Sequence, residues 1–184
     1  MNLVATTRTV TMTWGSTAQE RELAFPCDRY VTDPSSVLYR AITVNAPPSV
    51  LFRWLCQLRA APYSYDWLDN LGRRSPRRLT PGLDQLEVGQ RIVTVFRLAA
   101  FEHDRHITAV LPGTSVLFDD LAMTYLIVPE AEQCSRLVVK IAVRYPRNPI
   151  GLTVRALLPA GDLVMMRKQL ITLRALAQRD RPLP

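Results

Sequence analysis

Residues 37–58, VLYRAITVNAPPSVLFRWLCQL, change their hydrophobic period part-way along, and this change decides the fold class. Residues 37–44 are rich in β-branched and aromatic side chains, which predicts a strand. From Asn45, a candidate N-cap, two prolines follow in the first turn of a helix, where a missing N–H is harmless. Apolar residues then recur at helical spacing and predict one buried helix face, formed by Val50, Leu51, Trp54, Leu55 and Leu58.

A second, short helix is predicted by YSYDWLDNLG, residues 63–72. Tyr65 begins its apolar side, and Gly72 is a suitable residue to follow its last turn. On such a helix Tyr63 and Trp67 are four residues apart and adjoin each other, while Tyr65 lies away from them. We therefore expect a pair of neighbouring rings just after the first helix.

Five further runs have strand character and are separated by turn residues. Their close spacing favours antiparallel meanders, because parallel strands would need crossover helices between them. The runs are QRIVTVFRL (90–98), RHITAVL (105–111), SVLFD (115–119), AMTYLIV (122–128) and SRLVVKIAVRY (135–145). In the last run alternate residues predict one core-directed face, made by Leu137, Val139, Ile141 and Val143.

Residues 162–180, DLVMMRKQLITLRALAQRD, predict a long C-terminal helix. Asp162 is a fitting N-cap, and Pro182 follows the last turn. The apolar stripe of this helix comprises Leu163, Met166, Leu170, Leu173 and Ala177. Because sheet and helix each have one apolar face to bury, an α+β fold in which a curved antiparallel sheet closes on this helix is the economical arrangement.

The length and composition of the chain favour one folded domain. It has 184 residues, of which 48% are hydrophobic and 21% charged, as is usual for a globular protein. We expect an N-terminal arm over residues 1–35 that packs on the domain, a single domain over 36–180 and a tail over 181–184.

The net charge of +7 comes almost entirely from arginine, since all but two of the 23 basic residues are Arg. The arginines are scattered, which indicates a solvated basic surface. The one dense cluster is a loop, GRRSPRRL, with Arg73, Arg74, Arg77 and Arg78. Proteins that bind single-stranded nucleic acid combine basic residues with aromatic residues on which the bases stack. This cluster contains no aromatic residues, so no nucleic-acid partner is expected.

Three cysteines, Cys27, Cys56 and Cys134, are widely spaced and form no CxxC pair, so they predict reduced thiols and no zinc site. The N-terminus has no basic segment followed by an apolar run, and no stretch approaches about 18 consecutive apolar residues. A cytoplasmic, soluble protein is therefore the expectation.

The order of these segments resembles the SRPBCC superfamily. The resemblance runs from AITVNAPPSVLFRWLCQL (41–58) through YSYDWLDNL (63–71), DQLEVGQRI (84–92), TAVLPGTSVLF (108–118) and SRLVVKIAVRY (135–145) to LVMMRKQL (163–170). This superfamily has the helix-grip fold, shared by START lipid-transfer domains, polyketide cyclases and plant hydrophobic-ligand carriers. In particular, the chain resembles a bacterial branch of unassigned function in which a Trp-Gly pair precedes the domain, as Trp14-Gly15 does here.

The resemblance implies a sheet of seven or a similar number of strands wrapped around the C-terminal helix, with two short helices after the first strand. It also implies a hydrophobic cavity between sheet and helix, with no cofactor required. Lipid transfer, cyclisation of polyketides and sequestration all occur on this scaffold, so the fold does not determine the function.

A ligand cavity needs apolar walls and a few placed polar groups. The aromatic candidates are Trp54, Tyr63, Trp67, Phe96, Phe118 and Tyr125, and the aliphatic ones are Met165, Met166 and Leu170. Methionine suits a cavity that accepts varied apolar ligands. Arg97 and Arg144 are candidate partners for a carboxylate or carbonyl of the ligand.

The catalytic candidates are fewer. Tyr63 and Tyr65 would be proton donors in a cyclase-type pocket, and Asp66 would be a general acid or base. FEHDRHITAV brings Glu102, His103, Asp104 and His106 together in sequence, but we interpret this segment as an exposed polar hairpin and predict no metal site. No motif of a serine hydrolase, zinc protease or nucleotide-binding loop is present.

Three functions are compatible with these observations. The first is binding or transport of a small hydrophobic ligand, without catalysis. The second is a polyketide cyclase or dehydratase that uses pocket tyrosines and an arginine. The third is a peripheral module that binds anionic membranes through the Arg73–Arg78 loop and the basic C-terminal helix.

Overall fold

A computed structural model describes residues 10–69, 72–113 and 115–182 of the chain, without the side chains of residues 68 and 69. Six antiparallel strands form one sheet in the order β1-β6-β5-β4-β3-β2. The strands are β1 (Ser36–Val44), β2 (Arg91–Ile92), β3 (Phe96–Glu102), β4 (His106–Val110), β5 (Asp120–Ala131) and β6 (Cys134–Arg144). The helices are α1 (Ala18–Arg21), α2 (Pro48–Cys56), α3 (Asp66–Asp69) and α4 (Pro149–Arg179). The α+β prediction is confirmed.

The long hairpin of β5 and β6 is the centre of the sheet, with β1 along its other side. Alternate residues of each strand point to opposite faces. The predicted core face of β6, Leu137, Val139, Ile141 and Val143, is buried together with the concave-facing residues of β1 and β5 and with α4. The concave face is thus the side on which the helix closes.

The helix α2 begins at Pro48 with Pro47 as its N-cap, so the expectation of a cap at Asn45 is wrong. Residues Leu51, Trp54 and Leu55 of its predicted stripe are buried, as expected. The next predicted helix, 63–72, is much shorter in the structure. Within the described residues it is one turn, Asp66–Asp69, and Tyr63 precedes it in the left-handed region at φ 58°.

Tyr63 and Trp67 therefore do not form the pair expected from helical spacing. The Tyr63 ring contacts Trp54 edge-on instead, with 6.1 Å between the ring centroids. Trp67 is 74% exposed. The prediction failed because the left-handed residue turns the chain away before the helix starts.

Two predicted strands also differ. The run 90–98 is divided by a tight turn at 93–95, where Val93 and Thr94 have positive φ angles of 45° and 66°. β-branched residues rarely adopt this conformation, so no sequence signal indicated a turn. The run 115–119 is an irregular connection, in which the Ser115 hydroxyl accepts the backbone N–H groups of Leu117 and Phe118 at 3.0 and 3.1 Å.

The C-terminal helix is 31 residues long and starts at Pro149, so Asp162 lies inside it and is not its N-cap. Asn148 caps the helix by accepting the N–H of Gly151 at 2.8 Å. A proline at position 159 normally ends a helix because it lacks an N–H and crowds the preceding turn. Here the Arg40 guanidinium donates to the carbonyl of Pro159 at 3.2 Å and lies 2.7 Å from the Asp162 carboxylate, which ties this segment to β1.

Residues of the N-terminal segment cover the convex face of the sheet. Phe25, Cys27 and Val31 are buried against the sheet residues Ala41, Ala122, Leu126, Val138 and Ala142. The N–H of Cys27 donates to the Thr124 hydroxyl at 3.0 Å, and Lys140 lies 2.7 Å from Asp28.

Gly15 fixes how this segment meets β1. The N–H of Ala41 donates to the carbonyl of Trp14 at 3.0 Å. Gly15 follows with φ +74°, and a Cβ added there would overlap the carbonyl oxygen of Ala41. Only glycine fits such a close approach in this conformation.

Candidate functional site

A cavity of about 290 Å³ lies between the concave face of the sheet and α4. Its walls are mostly apolar and include Met123 and Ile141 of the sheet and Leu158, Met165 and Met166 of the helix. At one side the turn 93–95 contributes Val93 and Val95, and the connection before β5 contributes Phe118. A concave, apolar space of this size suits a small organic molecule.

One polar group of the cavity is a hydrogen-bonded tyrosine. The Tyr125 hydroxyl donates to the Gln169 side-chain oxygen at 2.8 Å, and the Gln169 amide donates to the carbonyl of Pro62 at 2.6 Å. Both side chains are almost fully buried, and burial raises the pKa of Tyr125. Because its proton is engaged by Gln169, the Tyr125 oxygen is left to accept a hydrogen bond from a ligand.

The second polar group is the carboxylate of Asp162. Only 14% of this side chain is exposed, and its partner Arg40 is fully buried. Burial raises the pKa of Asp162 to about 6, and the Arg40 guanidinium opposes this shift. The cavity wall thus contains an acid whose proton is exchanged near neutral pH, which is the range in which a general acid or base is effective.

The structure brings five of the predicted ligand-binding residues to this cavity: Phe96, Phe118, Tyr125, Met165 and Met166. Trp54 and Leu170 lie in the core with no exposed surface. Arg97 is exposed and donates to the carbonyl of Gly89 at 3.0 Å, while Arg144 forms an ion pair with Asp120 away from the cavity.

The remaining predicted residues, Tyr63, Tyr65, Asp66 and Trp67, line a separate surface pocket. The Asp66 carboxylate accepts the backbone N–H of Ser75 at 3.0 Å and its hydroxyl at 2.5 Å. This carboxylate therefore anchors the Arg-rich loop and is occupied in that role.

Sequence reasoning missed Asp162 and Gln169 as cavity residues. They flank Met166 at positions i−4 and i+3, so all three share one helix face. Two polar residues inside an otherwise apolar stripe were the available signal. Arg40 gave no comparable signal, because its partner is 122 positions away in the chain.

The segment Glu102 to His106 is a hairpin turn between β3 and β4. His103 packs against the rings of Phe52 and Phe101, with centroids 5.3 and 5.6 Å apart. The His106 ring lies 3.9 Å from the Glu102 carboxylate. Among the residues that the structure describes, no three His, Cys, Asp or Glu side chains come together as metal ligands would.

The chain matches no family model and no curated protein. Solved structures do resemble it. The Zhui aromatase/cyclase from Streptomyces sp. R1128 superimposes with a TM-score of 0.53 at 14% identity, over 78% of this chain and 93% of that chain. The chain has the helix-grip fold.

Two further structures share this helix-grip fold. The di-domain ARO/CYC protein StfQ of the steffimycin biosynthetic pathway superimposes with a TM-score of 0.51 at 10% identity, over 78% of this chain and 50% of that chain. A protein from Thermobifida fusca gives a TM-score of 0.51 at 13% identity, over 80% of this chain and 97% of that chain. At such identities the likeness concerns the fold.

The long helix is an exception to the expectation that no segment is apolar enough for a membrane. Among the described residues, Pro149–Arg179 is the one helix that is long and apolar enough to span a membrane. Its C-terminal part, including Leu170, Leu173 and Leu176, is buried in the helix-grip core. Its N-terminal part exposes Leu152 and Leu157, each at 67%. A soluble, cytoplasmic protein stays a prediction.

Proposed function

We propose that the protein binds one small, largely apolar molecule in the cavity between the sheet and α4. The observation that carries this proposal is the cavity itself, in which apolar walls surround two placed polar groups, Tyr125 and Asp162. Its volume of about 290 Å³ is near the lower end of the range usual for ligand pockets, about 300–1,000 Å³. A compact ring system with one or two oxygen atoms is the ligand class that fits.

The polar groups orient such a ligand. Tyr125 offers an acceptor oxygen held in place by Gln169, and Asp162 offers a carboxyl group held by Arg40. Flexible Met165 and Met166 side chains allow the wall to adjust to different ring shapes.

The test is a fluorescence titration with N-phenyl-1-naphthylamine, a neutral apolar dye, followed by native mass spectrometry for a co-purified ligand. We expect saturable 1:1 binding. Met166→Trp places a larger side chain in the cavity and should lower the dye affinity at least tenfold. Leu152→Trp, at an exposed position of the same helix, is the matched control and should leave the affinity within twofold. Equal effects of the two substitutions would refute the cavity as the site.

A second candidate function is acid–base catalysis on a carbonyl-bearing ligand, such as cyclisation with loss of water. It is favoured by the Asp162 carboxyl, whose pKa is raised to about 6 by burial in the cavity wall. Two of the structures with the same fold are named as aromatase/cyclase proteins. Mass spectrometry of a poly-β-ketone analogue incubated with the protein tests this candidate. Turnover should stop in Asp162→Asn under conditions in which circular dichroism shows that this variant is folded.

A further inference from the structure

A basic surface pocket lies beside the cavity. It has a volume of about 360 Å³ and is formed by residues 63–67, the loop from Gly72 to Arg77 and one face of α4. We call it the basic notch and define it by its cations, Arg74, Arg77 and Lys168. Arg74 and Arg77 belong to the Arg-rich loop, which does not line the cavity.

The three cations of the notch are free to bind an anion. None of them has an ion pair or a side-chain hydrogen bond with the residues that the structure describes. Asp66 is the one carboxylate among the described residues that line the notch, and both of its oxygens are engaged by Ser75. Among the described residues that line the notch, positive charge therefore exceeds negative charge.

A buried hydroxyl without a partner marks the same place. Tyr63 is 1% exposed, and among the described residues no group is within hydrogen-bond distance of its hydroxyl. Burial, and after it the Asp66 carboxylate, raise the pKa of Tyr63 to about 12, and Arg77 opposes the shift. Tyr63, Asp66 and Arg77 all line the notch. A buried donor of this kind normally has a partner, and an anion in the notch would supply one.

The notch and the cavity are neighbours. Ser64 lines both of them. On α4, Met165 and Gln169 line the cavity, while Lys168 and Thr172 line the notch, so one stretch of helix borders both sites. A single molecule can therefore lie with its apolar part in the cavity and a charged end in the notch.

We propose that the basic notch binds the oxyanion of the same ligand whose apolar body occupies the cavity. The ligand class is then an amphiphile with a compact apolar body and one carboxylate, sulfonate or phosphate group. This inference rests on the proposed function, which it makes more specific. Arginine supplies a two-pronged donor that matches such oxyanions, and Lys168 adds a point charge.

Two dyes that differ in one charged group test the proposal. 1-Anilinonaphthalene-8-sulfonate is N-phenyl-1-naphthylamine with an added sulfonate. The wild type should bind the sulfonate dye more tightly than the neutral dye. Arg74→Gln, Arg77→Gln and Lys168→Gln should each lower the affinity for the sulfonate dye by about fivefold and leave the neutral dye unchanged. Arg53→Gln, an exposed arginine of α2, is the control and should change neither.

Tyr63→Phe is the conservative variant for the hydroxyl. The ring contact with Trp54 is retained, so the fold should be unaffected. The affinity for the sulfonate dye should fall, and that for the neutral dye should stay the same. A uniform loss for both dyes would assign Tyr63 to packing alone and count against the notch.

Competition with inorganic phosphate distinguishes an anionic group of the cavity ligand from a free anion that binds the notch separately. Phosphate that displaces the sulfonate dye and leaves the neutral dye bound supports one ligand across both sites. Phosphate that binds together with the sulfonate dye, without competition, would show a separate free-anion site and overturn the proposal. The notch proposal alone would be overturned if Met166→Trp weakens binding of the neutral dye but the glutamine variants do not weaken binding of the sulfonate dye. No cavity-dependent binding of the neutral dye would instead refute the proposed function.

Discussion

The buried ion pair between Arg40 and Asp162 allows a quantitative prediction. Arg40 is fully buried, and its guanidinium lies 2.7 Å from the Asp162 carboxylate. At an effective dielectric constant of about 20, the attraction of two unit charges at this distance is about 6 kcal/mol, which is an upper limit. Part of this attraction offsets the loss of hydration of both groups, so the pair is not a large net source of stability.

Breaking the pair from one side should be costly, because a buried charge is left alone. We expect Asp162→Asn to lower the free energy of unfolding by about 3–5 kcal/mol, since the Arg40 guanidinium cannot lose its charge. For a chain of this length that corresponds to a melting temperature lower by about 6–20 °C. Arg40→Met should cost less, about 2 kcal/mol, because Asp162 can then take up a proton as its pKa rises further.

A double-mutant cycle measured by urea unfolding isolates the pairwise interaction. The variant with both substitutions has no buried charge and should be more stable than Asp162→Asn alone. We expect a coupling energy of at least about 2 kcal/mol. Additive losses, or a loss below about 1 kcal/mol for Asp162→Asn, would refute the view that this pair anchors the Pro159 segment to β1.

A further prediction concerns the hydrogen bonds of Tyr125 in the cavity. Gln169→Leu removes the 2.8 Å acceptor of the Tyr125 hydroxyl and the donor to the Pro62 carbonyl, and should cost about 2–4 kcal/mol in urea unfolding. Gln178→Leu, which removes an exposed hydrogen bond from the N–H of Asn45, is the control and should cost less than about 1 kcal/mol.

The architecture was predictable where one periodicity extends over a whole element. Alternation along β6 identified its buried face, and helical spacing identified the buried side chains of α2. Such patterns arise because an element with one face in the core repeats its apolar residues with its own period. The strand, helix, meander and helix order then allowed few arrangements other than a sheet closed by the last helix.

The errors occur where distant partners or unusual backbone conformations decide the structure. The last helix was predicted to start after Asp162, but it starts at Pro149, and Arg40, over 100 positions earlier in the chain, contacts it at the Pro159 carbonyl and at Asp162. Tyr63 and Val93 adopt left-handed conformations that nothing in their side chains favours. At the site, the apolar wall residues Met165 and Met166 were found, whereas Gln169 was missed because its function depends on Tyr125 and Pro62.

The contact of Gly15 with Ala41 has a consequence for the behaviour of the protein in solution. β1 is an outer strand of the sheet, and such strands present unpaired backbone groups to which other chains can add. The Trp14 carbonyl occupies one of these groups, the N–H of Ala41. The Trp-Gly pair thus protects part of the sheet edge from pairing with another chain. A side chain at position 15 would displace the pair from β1 and expose this part of the edge. Mutations there should reveal themselves as self-association and loss of solubility before any loss of ligand binding.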